Sequence, residues 1–328
     1  MKPFGYQRAG DVPGAVTMLA ESPRGAYLAG GTNLVDLMRL GVVAPDLLVD
    51  VRRLTSDRID DLPGGGLRIG AAVPNSDLAA DRRIRRRCPL LSQALLSGAS
   101  GQVRNVATTG GNLLQRTRCG YFQDVTTPCN KREPGSGCSA IQGYQREMAI
   151  LGASQACVAT HPSDMAVAMV ALDAVVRTYG PEGARTIPLT ALHRLPDDEP
   201  ERDTVLRYGE LITAVDLPPL GFATRSCYRK VRDRASFAFA LVSVAAAVDV
   251  ADGVVRDVRL ALGGVAHKPW RAATAEEVLR GAPATAESFR AAADAELAPA
   301  RPLADNAFKV PLARNTIVST LLDLVEER

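Results

Sequence analysis

Apolar and polar positions along this chain change over in short blocks, most of them the length of a single strand or a short helix. Behind Asp11, apolar residues recur at helical spacing over Asp11–Ser22 with Pro13 early, which predicts a capped helix. The strand Ala26-Tyr27-Leu28 then runs directly into Ala29-Gly30-Gly31-Thr32-Asn33-Leu34. A helical turn over Val35–Leu40 and a strand over Leu47–Val51 complete what reads as an α/β unit. A second segment opens with a strand at Leu67–Gly70 and a helix start at Val73–Asp77. It continues through a helix around Leu90–Leu96 to a second Gly-Gly turn in Ala107–Leu113. An apolar helix, Met165–Leu172, follows Asp164, which reads as its cap. Strands are expected at Ala174–Thr178, Thr186–Leu189 and Glu210–Val215, and Pro218-Pro219 with Gly221 marks a boundary. Beyond it come Ser226–Arg232 and a long apolar element over Phe237–Val250. A turn at Ala251-Asp252-Gly253 and a strand over Val254–Leu262 make a hairpin. Helices near Ala275–Leu279, Ala286–Leu297 and Thr316–Glu326 close an α+β chain.

The pattern breaks between Gln115 and Cys157. This Gly-, Pro- and Arg-rich stretch follows neither period, yet holds Cys119, Cys129, Cys138 and Cys157. Without a hydrophobic core to offset its ordering entropy, it needs another tether. An iron–sulfur cluster, a zinc ion and disulfides are the candidates. The cysteine gaps are wide and irregular rather than close C-x-x-C knuckles, which favours a cluster over zinc. Disulfides suit small secreted domains, whereas this chain has 328 residues and no evident signal peptide.

Each glycine turn lets the backbone come close to a ligand and present N–H groups to an anion. The turn Gly30-Gly31-Thr32-Asn33 matches neither G-x-G-x-x-G nor the Walker pattern, so a Rossmann or P-loop site is disfavoured. Two such turns together point to a phosphate-rich ligand.

Charge and composition narrow the function classes. Lys plus Arg number 39 against 36 Asp plus Glu, a net charge of +3, too balanced to suggest nucleic acid. The basic run Asp81–Arg87 reads as a solvated helix face. No apolar run is long enough for a membrane span, and the N-terminus carries no export signal. A cytoplasmic location is expected, or a periplasmic one if a partner subunit carries the chain across. No hydrolase elbow occurs, and only His161, His193 and His267 are present, so no catalytic residue is assigned. His161 reads as structural or near a ligand, and His193 and His267 as surface residues. Cys88 and Cys227 read as small buried hydrophobes.

Four motifs carry a family resemblance: AGGTNL at Ala29–Leu34, ATTGGNL at Ala107–Leu113, PSD at Pro162–Asp164 and LGGVAHKPWRA at Leu262–Ala272. Their order and spacing resemble the FAD-binding medium subunit of the molybdenum hydroxylases, the xanthine dehydrogenase and carbon monoxide dehydrogenase family. The resemblance implies a vanillyl-alcohol-oxidase-type FAD domain over residues 1–219, with α/β subdomains of about 1–55 and 56–219. A smaller α+β domain over 222–328 would follow. It implies that FAD is cradled by Ala29, Gly30, Gly31, Thr32, Asn33 and Leu34, joined by Thr108, Gly111 and Asn112. Asp164, Lys230 and Glu210 complete the implied set. Partners would be a large molybdopterin subunit and a small [2Fe–2S] subunit, with an external acceptor taking the electrons.

The insert at about 115–157 departs from the common family pattern. It is similar to that of aldehyde oxidoreductases of the periplasmic type, whose flavin subunit carries a [4Fe–4S] cluster on such an insert. Xanthine dehydrogenase and hydroxybenzoyl-CoA reductase types remain alternatives, as does a zinc-stapled scaffold. Because the family's usual electron route does not need this cluster, a structural staple is the favoured role over an added relay.

Overall fold

The computed structural model describes residues 1–326; Glu327 and Arg328, the end of the expected C-terminal domain, lie outside the described residues. Three sheets organise the described residues. In the first, Gly5–Arg8 and Gly25–Leu28 flank Leu47–Asp50, both pairings parallel. The helix Val12–Ala20 covers it, capped as expected by Asp11, whose Oδ1 accepts the Gly14 N–H at 2.7 Å. Its buried Ala15 and Leu19 pack with Val49 and Val51.

The second sheet orders its five strands Ile59–Asp61, Leu67–Gly70, Leu211–Leu217, Val175–Gly180 and Gly183–Pro188, every neighbour antiparallel. Leu67 lies opposite Leu217, a pairing across most of the domain that no local pattern announces. Behind it runs the helix Asp164–Ala171, buried at every position from Met165 onward. A helix apolar all round belongs inside a core, and this one packs against the helix Pro89–Ser97 and the C-terminal sheet. Its cap differs from expectation. Ser163 Oγ accepts the Ala166 N–H at 3.0 Å, leaving Asp164 as the first helical residue with its carboxylate free for other partners.

The third sheet is antiparallel, ordered Trp270–Arg271, Val254–Gly263, Val242–Ala251 and Ser226–Val231. Helices Ala273–Leu279, Ala286–Leu297 and Lys309–Glu326 form one core with it. The hairpin is present, with Asp252 and Gly253 both at positive φ. The apolar element expected over Phe237–Val250 is shorter. The strand begins at Val242, and Phe237, in the left-handed region at φ 52°, lies 76% exposed on a preceding loop. That backbone conformation cannot continue a strand. The basic run forms the helix Arg82–Arg87, capped by Asp81 and buried only at Ile84, as a solvated face requires.

The insert also differs from expectation. It contains only a helical turn at Gly120–Gln123 and a 3-10 turn at Ser139–Ile141. Nevertheless it builds a small core of its own, in which Phe122, Ala140 and Met148 pack with Cys119, Cys129 and Cys157 against Leu37, Val158 and Ala159. The Arg132 guanidinium binds the carbonyls of Tyr121 and Phe122 at 2.8 Å each and that of Thr127. A few large side chains at irregular spacing bury well without producing any period.

Candidate functional site

Gly30 brings the two glycine motifs together. A Cβ placed there would lie 2.1 Å from the Val106 carbonyl oxygen, so only glycine permits this approach. Gly31, at φ 73°, then turns the chain into the helix Leu34–Arg39. The second motif is not a free turn as expected: Thr109–Leu113 is a short helix, and Thr108 Oγ1 accepts the Gly111 N–H at 3.3 Å.

Between these motifs lies a cleft of two joined cavities, about 1080 and 1740 Å³ measured to their open mouths. Thr32, Asn33 and Gly111 line both. The first cavity is walled by Tyr27, Ala29, Gly30, Leu34, Thr108 and Glu210, and the second by Asn112, Asp164, Lys230 and the Phe237–Phe239 loop. Every residue expected at the flavin therefore borders this one cleft. A cleft of this size, largely apolar along its first cavity and mixed along its second, fits a dinucleotide. The Asn33 side chain supplies the most specific sign. Its Oδ1 accepts the Arg116 N–H at 2.9 Å, while its Nδ2 is buried with no protein partner. A buried donor left unpaired in the protein is what a bound ligand satisfies.

At the far end, Asp164 receives the Lys230 ammonium at 2.8 Å and the Tyr228 hydroxyl at 2.6 Å. Both charges are nearly enclosed, so each depends on the other. Glu210 borders the cleft, but its carboxylate is taken up by Arg185 at 2.6 Å, by Thr178 and by the Arg207 N–H. Although burial alone would raise the Glu210 pKa, these partners bring it down to about 2. Arg116, Arg118, Asn75 and Tyr27 also line the cleft and were not anticipated, because none belongs to a glycine motif.

The four cysteines of the insert converge. Cys119, Cys129, Cys138 and Cys157 line a single cavity of about 260 Å³, together with Phe122, Lys131 and Ala159. Cys129 and Cys138 face each other in an antiparallel bridge. The Asn130 side chain ties this pair to the segment before Cys157, accepting from Gly137 N–H at 2.7 Å and donating to the Ala156 carbonyl at 3.0 Å. None of the four is in a disulfide. Among the described residues, no three His, Cys, Asp or Glu side chains converge as they would on one metal ion. Three buried thiols and the half-buried Cys138 thus share the wall of one cavity without meeting at a point.

His193 and His267 are buried, 3% and 5% exposed, not on the surface as expected. His193 packs edge-on against His161 with ring centroids 4.4 Å apart, and its Nε2–H donates to the Leu113 carbonyl at 2.8 Å. Burial lowers the pKa of each of His193 and His267 to about 4. Cys88 is buried as expected, and Cys227 is half-buried in its strand. Among the described residues no helix is long and apolar enough to cross a membrane.

A two-domain α+β chain with a dinucleotide cleft between glycine motifs defines a flavin-binding redox subunit. Residues 2–220 match the FAD binding domain in molybdopterin dehydrogenase, and residues 226–324 the CO dehydrogenase flavoprotein C-terminal domain. The chain belongs to the FAD-binding medium subunits of the molybdenum hydroxylase family. It is 52% identical over 324 residues to the aldehyde oxidoreductase FAD-binding subunit PaoB of Escherichia coli K12, covering 98% of each chain. It is 28% identical to the glyceraldehyde dehydrogenase medium chain of Sulfolobus acidocaldarius, covering 85% of this chain and 81% of that one. A chain of the solved carbon monoxide dehydrogenase from Hydrogenophaga pseudoflava superposes with a TM-score of 0.77 at 25% identity, covering 99% of this chain and 98% of that one.

Proposed function

We propose that this chain is the FAD- and [4Fe–4S]-containing electron-transfer subunit of a multi-subunit molybdenum aldehyde oxidoreductase. In this reading a large molybdopterin subunit oxidises the aldehyde. A small [2Fe–2S] subunit relays the electrons, and an external acceptor receives them from this chain. The observation that carries it is the single cleft joining both glycine motifs to the Asp164–Lys230 pair, with the Asn33 amide donor unsatisfied inside it. The relative at 52% identity supports the aldehyde class over the xanthine class, whose putative Escherichia coli FAD-binding subunit is 27% identical over 294 residues.

Ala29 to Leu34, Thr108, Gly111 and Asn112 would hold FAD, which when bound supplies the exchange between single-electron donors and the acceptor. Asn33 would donate to it through Nδ2. Lys230 would keep the Asp164 carboxylate fixed at the wall, and the Phe237–Phe239 loop would limit water at the mouth. Cys119, Cys129, Cys138 and Cys157 would hold the cluster. The chain should show no aldehyde turnover when purified alone and should support it when co-assembled with its two partners. Turnover by the isolated chain would contradict the assignment.

A further inference from the structure

We propose that Lys131 is the positive charge that sets the reduction potential of the cluster held by the four cysteines, with Asp203 linking it to Arg116 at the flavin cleft. The inference rests on the cluster reading of the preceding subsection.

The Lys131 side chain is 1% exposed and lines the four-cysteine cavity. Its Nζ donates to the Pro200 carbonyl at 2.6 Å and to Asp203 Oδ1 at 2.5 Å. The other Asp203 oxygen accepts from Arg116 Nε at 2.6 Å. Arg116 lies over the Phe122 ring, 4.8 Å from its centroid, and lines the flavin cleft beside Gly30 and Gly31. One carboxylate therefore joins a cation at the cysteine cavity to a cation at the cleft. Burial would push the Asp203 carboxyl up, but Arg116 and Lys131 outweigh it and hold the group well below the usual carboxylate range. The neighbouring His267 Nε2, 3.9 Å from Asp203, adds no charge at neutral pH, since burial keeps its pKa near 4. Of these three groups only Lys131 lines the cysteine cavity, so the charge that faces the cluster site is positive.

A buried ammonium is expensive to hold, and an apolar side chain of the same length would fill the space without it. Its position explains the charge. Each electron that a donor delivers makes a thiolate-ligated cluster one unit more negative, with no bond broken and no proton moved. A cation fixed in the wall stabilises the reduced form more than the oxidised form and so raises the potential.

The test is a reductive titration of the intact complex, following the cluster's paramagnetic signal, with iron content measured on each sample. Lys131→Met should retain iron and shift the redox equilibrium toward the oxidised form by tenfold or more, about 59 mV for a one-electron couple. Lys131→Arg, which keeps the charge, should leave most of the wild-type potential in place. Asp203→Asn, which removes the opposing charge, should move the potential the other way. Full iron with an unmoved potential in Lys131→Met overturns the proposal, as does a shift of the same sign in Asp203→Asn. If Lys131→Met fails to assemble, Asp203→Asn decides: a rise supports the proposal, and no change or a fall overturns it. Wild-type complex lacking iron on this chain would overturn the cluster reading itself, a result visible before any variant is made.

Discussion

Replacing Gly30 by Ala asks whether the contact between the two glycine motifs shapes the flavin site. The added methyl would meet the Val106 carbonyl oxygen at 2.1 Å, its carbon at 2.9 Å and Ala107 Cα at 3.2 Å. These are backbone atoms, which cannot swing aside as a side chain would. Restoring contact at about 3.5 Å requires the motifs to part by more than about 1 Å. Overpacking of this kind costs roughly 1–3 kcal/mol. If the strain falls on the flavin-bound form, FAD affinity should drop by roughly 5- to 150-fold. Fluorescence titration of FAD into apoprotein measures it directly. Gly66→Ala is the control, because its Cβ would lie 2.7 Å from the Leu217 carbonyl oxygen in the sheet, and Gly66 does not line the cleft. It should lower thermal stability while leaving FAD affinity within about twofold. Wild-type affinity in Gly30→Ala would refute the reasoning.

Asn33→Asp keeps the acceptor for Arg116 but replaces the buried donor, and should cost about 1–3 kcal/mol of FAD binding, read as flavin retained after gel filtration. Undiminished flavin would remove Asn33 from the site. Cys129→Ser should abolish bound iron, while Phe122 and the Arg132 hydrogen bonds keep much of the loop folded; iron retained at the wild-type level would count against the ligand set. His193 and His267 have folded pKa values near 4 against an ordinary 6.5. Above pH 6.5 both are neutral whether folded or unfolded, whereas between 6.5 and about 4 only the unfolded chain takes up the protons. Stability should therefore fall as pH drops through that window and be fully present above it. Urea unfolding at a series of pH values measures the slope, which His193→Gln should reduce; a flat wild-type profile would show that these groups titrate normally in the fold.

Local signals in the sequence located most of the elements. Asp11 with Pro13 gave the first helix, Asp252-Gly253 the hairpin, and the unbroken apolar run Met165–Leu172 a helix buried on every side. The glycine motifs located the cleft because their chemistry is local: Gly30 and Gly31 owe their identity to backbone geometry. What stayed hidden depends on partners distant in the chain. Asp164 looks like a cap until Lys230 and Tyr228, more than sixty residues away, are seen to hold it. His193 and His267 lie in irregular segments, which suggests exposure, yet His161 and the Leu113 carbonyl enclose the first and the Arg194 carbonyl meets the second. The core of the insert was invisible for the same reason, since Phe122 and Met148 share their cluster with Leu37, a residue distant in the chain. Arg116, which lines the cleft and binds Asp203, carries no motif at all.

Cofactor stoichiometry on the chain isolated without oxygen tests the central claim most directly. The account predicts about one FAD released on denaturation, with about four irons and matching acid-labile sulfide on each polypeptide. A chain with one zinc, no iron and no flavin would contradict it.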